Sequence, residues 1–266
     1  MDIQDLVRQH YGGADLGERI LDGLREAGVD TEQLSFADLG GLDQLHAGSL
    51  PATHYLLERL ELDDQTRLLD VGCGIGGASR VAAATYRCSV VGIDLSPDFI
   101  RVGRQLTERV GLAGLVDLRV ASGDRIDLAD ASLDRAMIFH VGMNIPDKPA
   151  VFAEVRRVLK PGAIFGVYEQ MQVGDGEPTY PLPWAEDERS SFVETAEAYA
   201  LALQSSGFVV EHTEDRRAAT AGPPGPEPRL SPAAVFGPSF AERIANNISA
   251  TRTGILVPTL MIARAI

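Results

Sequence analysis

Apolar residues along this chain gather into short runs that alternate with amphipathic stretches, most clearly between residues 65 and 170. TRLLDV, CSVVGID, LVDLRVA, LDRAMIF and AIFGVY are continuous enough to predict strands buried on both faces. Between them, residues 76–86, 96–110 and 147–159 have apolar positions at helical spacing. Ser96-Pro97-Asp98 is a helix start, with a side-chain cap, a proline in the first turn and an acid at the positive end of the dipole. Strand and helix in alternation require parallel pairing through right-handed crossovers. The pattern therefore predicts an α/β, doubly wound sheet.

The flanks read differently. Residues 1–64 are polar and helical in pattern, without a convincing strand. Within them, Ser49 followed by Pro51 predicts a helix start, and Tyr55, Leu56, Leu57 and Leu60 follow at helical spacing. Residues 171–194 have three prolines, no periodicity and the only tryptophan of the chain. A loop that long inside a compact body is usually functional, so a lid insertion is expected there. A helix at about 195–206 and a strand, FVVEHTE, come next. The GPPGPEP connector leads to a helical segment at about 231–250 and a last apolar run, 255–264. Pro258 cannot donate to a ladder and predicts a bulge or an edge.

Composition narrows the function. With 266 residues, 45% hydrophobic and 23% charged, the chain has the balance of a soluble globular protein large enough to need no metal or disulfide. Its two cysteines, Cys73 and Cys88, make neither a disulfide framework nor a zinc knuckle. The N-terminus lacks a basic and apolar leader pattern, and the longest apolar stretch, GILVPTLMIA, is short of the ~20 residues of a membrane span. A cytoplasmic location without membrane contact is expected. The net charge of −14 would repel a phosphate backbone, which disfavours nucleic acid as a partner. The five histidines are scattered, none beside a carboxylate or a second histidine at ligand spacing, so no metal site is expected. The oligomeric state is left open, a homo-oligomer included.

The strongest local signal is LLDVGCGIGGASRVAA, a strand ending near Asp70, then Gly72, Gly74, Gly76 and Gly77 turning into a helix. Such glycines let backbone approach a ligand closely, although Gly72-x-Gly74-x-x-Gly77 also fits a dinucleotide fingerprint. Asp70 sits poorly beside a pyrophosphate but suits a ligand with an ammonium group. Asp94, ending the second strand, can accept from both ribose hydroxyls. Asp124 follows the third strand, His140 ends the fourth, and Lys160-Pro161-Gly162 turns a helix into the fifth.

The ordered set LDVGCGIGG, VVGIDLS, SGD, SLDRAM and RVLKPGA resembles the class I, Rossmann-like, S-adenosylmethionine-dependent methyltransferases, in their small-molecule branch. The resemblance implies a mostly parallel seven-stranded sheet of order 3-2-1-4-5-7-6, a body over 65–266 and an N-terminal helical cap over 1–64. It implies S-adenosylmethionine as cofactor, S-adenosylhomocysteine as product, and a small-molecule methyl acceptor. Gly72 and Gly74 would lie under the methionine and ribose of the cofactor, Asp94 would hold the ribose, and Leu95 would flank the adenine. Asp124 and the Arg125 amide would read the adenine edge, and the His140 backbone would meet the methionine. RQHYGG and LHAGSLPAT resemble cap segments that close over the cofactor, which singles out Tyr11 and His46.

Methyl transfer from a sulfonium is an in-line displacement, needing chiefly orientation and a dry cavity. A base serves only where the acceptor must lose a proton. His140 and Glu169, the latter read as following the fifth strand directly, are the catalytic candidates. Tyr180 and Trp184, with His46, are the acceptor-binding candidates. Oxygen or nitrogen is the favoured acceptor atom, with carbon open. Two other readings stand beside this one: a non-catalytic S-adenosylmethionine-binding protein and an NAD-type oxidoreductase.

Overall fold

In a computed structural model, which describes residues 16–40, 42–220, 237 and 239–266, the apolar runs of the middle region lie side by side. They are β1 (Arg67–Val71), β2 (Ser89–Asp94), β3 (Val116–Val120), β4 (Leu133–Phe139) and β5 (Leu159–Gln172). With β6 (Phe208–Asp215) and β7 (Leu256–Ala265) they form one seven-stranded sheet of order β3-β2-β1-β4-β5-β7-β6. β1 to β5 pair in parallel, and β7 runs antiparallel between β5 and β6. The sheet order is the one implied by the resemblance.

Helices α1 (Leu16–Glu26), α2 (Ser49–Leu57), α3 (Gly77–Tyr86), α4 (Pro97–Arg109), α5 (Lys148–Val158), α6 (Ala196–Ser205) and α7 (Phe240–Arg252) surround it. Consecutive strand residues point to opposite faces, so Leu69 packs with Phe152 and Tyr199, while Leu68 packs with Leu56, Val81 and Ile100. Ser96 caps α4 as expected, its hydroxyl accepting from Phe99 N at 3.2 Å. α2 differs. Gly48, at φ 80°, takes the capping position, so Ser49 is the first helical residue and not the cap.

The fifth strand also differs. β5 runs on through Gln172 because β7 continues the ladder beside it, pairing Glu169 with Thr259 and Gln172 with Leu256. Glu169 is thus inside a strand and not beyond it. Pro258 lies opposite Gln170 in an interior strand. Its carbonyl accepts from Arg216 N at 2.8 Å, just past the last residue of β6. Its missing donor therefore faces the side where β6 has run out, and the nearby irregularity falls on β6, between Val210 and His212.

Leu16, Ile20 and Leu24 make a one-face stripe on α1 that packs against Phe99, Val102 and Leu106 of α4. Each such side chain contributes about 1.5–3 kcal/mol on burial. Farther along, Arg80 of α3 pairs with Asp43 at 2.8 Å, both buried. Gly77 lets that segment approach, since a Cβ there would stand 2.0 Å from the Asp43 carbonyl oxygen. The expected lid folds back on α7 and β7, where Leu182, Trp184 and Ala185 pack with Met143, Ala250 and Leu256. The helical segment expected at 231–250 is described from Phe240 as α7, and the GPPGPEP connector lies outside the described residues. No helix among the described residues is long and apolar enough to cross a membrane.

Candidate functional site

Beyond the carboxyl ends of β1, β2 and β4 the structure encloses a cavity of ≈ 290 Å³. In open parallel sheets this end is where backbone groups and strand-end side chains are free to meet a ligand. Gly72 and Gly74 bring the β1–α3 turn to its wall, Asp94 and Leu95 the end of β2, and Asp124 the segment after β3. Phe139, His140 and Val141 supply the end of β4, Trp184 comes from the 171–194 segment, and Leu45 from the N-terminal segment.

Asp94 is held rigidly. One carboxylate oxygen accepts from Gly74 N at 3.0 Å and the other from Ser96 N at 2.8 Å. Burial raises its pKa while those amides oppose the shift. Each oxygen keeps a further lone pair, so the group can also accept from a ligand. Asp70 does not face the cavity. Its carboxylate accepts from the Ser79 hydroxyl at 2.6 Å, and burial pushes its pKa up to about 7. A direct partnership of Asp70 with a ligand ammonium is therefore corrected to an internal bond between β1 and α3.

His140 lies in the wall at φ 51°, a left-handed backbone, with its amide donating to Tyr168 O at 2.9 Å. Its ring stacks on Tyr168 at 5.5 Å, and its Nε2 is buried without a partner. Burial, then the His46 ring, push its pKa well below the usual imidazole value, so it is neutral at neutral pH. His46 stands one layer back, stacked on Phe139 at 4.7 Å with Nε2 3.0 Å from the Thr53 hydroxyl. Burial lowers it to about 4. The cap segment meets the cavity through Leu45 and not through His46.

Glu169 is fully buried behind the wall. Its Oε1 accepts from Val141 N at 3.1 Å and Gly142 N at 2.9 Å, while Oε2 has no partner. Burial pushes the carboxyl up to about 7 against the pull of those two amides and of Lys148. As a base reaching the acceptor it is misplaced; it holds the loop that follows His140. The Arg125 amide donates to Ser122 O at 3.2 Å and does not reach the wall. Tyr180 packs on the lid cluster, away from the wall, and Tyr11 lies outside the described residues.

Three contributors escaped the sequence reading. Val141 fills the space beside Gly72, and Asn144 donates to Trp184 O at 2.9 Å and Ser190 O at 3.1 Å. Lys148, 1% exposed, donates to Phe192 O at 2.7 Å and pairs with Glu194 at 3.3 Å, which fastens residues 192–194 to the start of α5. The signal for Lys148 was its rarity, since it is one of two lysines among 24 basic residues. Among the described residues no group of three His, Cys, Asp or Glu is placed to hold a metal ion.

Comparison with known proteins agrees with this geometry. The family model for a methyltransferase domain matches residues 69–167. Methyltransferase phqN of Penicillium fellutanum is 33% identical over 169 residues, covering 61% of this chain and 52% of that protein. The chain thus spans about half the length of that relative, and less of some others. Geranyl diphosphate C-methyltransferase from Streptomyces coelicolor A3(2) shares the fold, with TM-score 0.72, 17% identity and coverage of 100% of this chain and 99% of that one. The [4+2]-cyclase SpnF does so too, at TM-score 0.71, 21% identity and coverage of 100% and 97%. At these identities the likeness is one of fold, and a fold alone does not fix a reaction. Residues 69–167 match a methyltransferase domain, and they lie within a seven-stranded sheet of order 3-2-1-4-5-7-6.

Proposed function

We propose that this protein transfers a methyl group from S-adenosylmethionine to an oxygen or nitrogen of a small molecule. One observation carries the reading: the Asp94 carboxylate, the Gly72–Gly74 turn and the His140 end of β4 converge on a single cavity. The residues fit the cofactor. A ribose needs an acceptor for two hydroxyls, and Asp94 has lone pairs left for them. A Cβ placed on Gly74 would find only Leu45 at 3.8 Å and Phe99 at 3.9 Å, so the turn has free space above it. Asp124 would meet the adenine edge and Leu95 its face, with the His140 backbone at the methionine end.

When bound, S-adenosylmethionine supplies an electrophilic methyl on a good leaving group. The chain's own residues then have to orient, enclose and exclude water. His140 presents a neutral nitrogen that can accept a hydrogen bond from the acceptor. Glu169, the acid that could have stabilised a cation on carbon, is turned onto the loop amides, which supports an acceptor bringing its own lone pair. Residues 1–64 act as cap, 65–266 as body, and 171–194 as lid over the acceptor. The acidic balance of the chain, −14, favours capture of a cationic cofactor and release of the neutral product.

The test is calorimetric titration with S-adenosylmethionine, S-adenosylhomocysteine and NADH. Binding of the first two at micromolar levels without NADH binding is expected. Failure of S-adenosylmethionine to bind, or tighter binding of NADH, overturns the reading.

A further inference from the structure

We propose that Tyr168 and Gln170, on the cap-facing side of β5, form the part of the acceptor site that reads a neutral oxygen-bearing group, a hydroxyl or a carbonyl. The inference rests on the methyltransferase reading and names the acceptor class it would take.

Three consecutive residues of β5, Tyr168, Glu169 and Gln170, are 1%, 0% and 0% exposed. Each has a side-chain polar atom without a partner: the Tyr168 hydroxyl, Glu169 Oε2, and both Nε2 and Oε1 of Gln170. An unmet buried polar group costs about 1–3 kcal/mol, and nearly all such groups in folded proteins are paired. Glu169 is explained by the loop it holds through its other oxygen. Among the described residues Tyr168 and Gln170 have no such account. A whole carboxamide with neither end satisfied is the larger anomaly.

Their position is informative. Residues two apart share a strand face, so Tyr168 and Gln170 look the same way, towards α2 and His46. β4 ends at Phe139, opposite Tyr168, whereas β5 continues. Gln170 therefore stands roughly 7 Å beyond the end of β4, at the end of the sheet where the cavity opens. The Tyr168 ring stacks directly on His140, a wall residue whose Nε2 is also unpartnered. Three unmet polar groups thus follow one another from the cavity wall at His140 along the cap-facing side of β5.

The donor set selects the ligand chemistry. A carboxamide offers donors and an acceptor, a phenol one of each, and His46 and His140 stay neutral. The cation acting on Tyr168 is Arg216, which pairs with Glu214 at 2.5 Å and stacks over the Tyr55 ring at 3.5 Å. Its charge is balanced. An anionic group would be buried here without a counter-charge, while a hydroxyl or carbonyl would satisfy Gln170 and Tyr168 at once.

The test uses protein saturated with S-adenosylhomocysteine and three probes of one ring system, titrated by calorimetry: 2-naphthol, 2-methylnaphthalene and 2-naphthoate. We expect 2-naphthol to bind about tenfold more tightly than the other two, the worth of one or two hydrogen bonds. Gln170→Leu should reduce that preference to about twofold or less and leave S-adenosylhomocysteine affinity unchanged. Tyr168→Phe, which removes only a hydroxyl, should cut the preference part-way and serves if Gln170→Leu does not fold. If S-adenosylhomocysteine fails to bind, the methyltransferase reading falls with this one. If it binds and the probes bind alike, bind not at all, or favour 2-naphthoate, the inference alone is overturned, and the polar set holds buried water only.

Discussion

The Gly72 α-carbon and the Val141 side chain leave no room for a methyl group between them: a Cβ on Gly72 would lie 2.2 Å from Cγ2 of Val141. Gly72 also sits at φ +69°, which costs an L-residue about 1–2 kcal/mol. Gly72→Ala should therefore destabilise the protein by about 2–4 kcal/mol and weaken S-adenosylmethionine binding about tenfold or more, since both residues line the cavity. Adding Val141→Ala should recover the part due to the clash but not the backbone strain. Urea unfolding and calorimetry on the two variants check this. A Gly72→Ala protein with native affinity would show that the turn tolerates a side chain and is not a cofactor cradle.

Glu169 titrates in a way that can be separated from its hydrogen bonds. Its folded pKa, raised to about 7 from 4.5, means that the folded state holds a proton that the unfolded state has released. Between these two values stability should fall as pH rises, by up to roughly 3 kcal/mol, and level off above 7. Asp70, also raised to about 7, slopes in the same sense, so the quantity to measure is wild type minus Glu169→Gln. Glutamine keeps an oxygen for the Val141 and Gly142 amides, so cofactor affinity at pH 7 should change by less than about threefold, whereas Glu169→Ala should lose about tenfold or more. Urea midpoints across pH 5–8 for the three proteins test both parts. Parallel pH profiles for wild type and Glu169→Gln would show that the carboxyl is not the titrating group.

The sheet was legible because parallel strands buried on both faces leave unbroken apolar runs, and because Ser96 announces the helix that follows. Gly72, Gly74, Asp94, Leu95, Asp124 and His140 were legible because strand ends and tight turns fix their place along one rim. What escaped depended on contacts between distant segments. Glu169 looked like a strand-end acid, yet its ladder with β7 continues, and its carboxylate meets amides 27 and 28 residues earlier in the chain. Gly77 looked like part of a nucleotide turn, whereas its missing side chain makes room for Asp43. Pairings of that kind have no local periodicity to reveal them.

Asp94 is expected to dominate cofactor affinity. Its two oxygens already order the turn through Gly74 N and the start of α4 through Ser96 N. Hydrogen bonds from ligand hydroxyls to a carboxylate contribute about 1.5–3 kcal/mol each, so Asp94→Ala should reduce S-adenosylmethionine affinity by about 100-fold or more. Because the same change releases two amides, stability should fall as well. Asp94→Asn separates the effects, since its single oxygen retains part of the local order without the charge. Calorimetry on Asp94→Asn showing unchanged affinity would remove the residue from the ribose site.

Lys148 should control the lid and leave the cofactor alone. Its ammonium is buried beneath residues 192–194, donating to Phe192 O at 2.7 Å and Ile145 O at 3.1 Å, with Glu194 at 3.3 Å and the Tyr199 ring at 5.2 Å. Lys148→Met keeps the stem and removes every one of these contacts, leaving Glu194 unpaired and two carbonyls unmet, a loss of about 1–3 kcal/mol. That loss falls on the attachment of the lid, whose opening is the cheaper local event, so cleavage within residues 174–190 by a nonspecific protease should accelerate about tenfold. Pro183 and Trp184 are the lid residues in the cavity wall, so S-adenosylmethionine affinity should change by less than about threefold while the acceptor KM rises. Equal proteolysis of wild type and variant would place the hold on the lid elsewhere, with Asn144 and its bonds to Trp184 O and Ser190 O next in line.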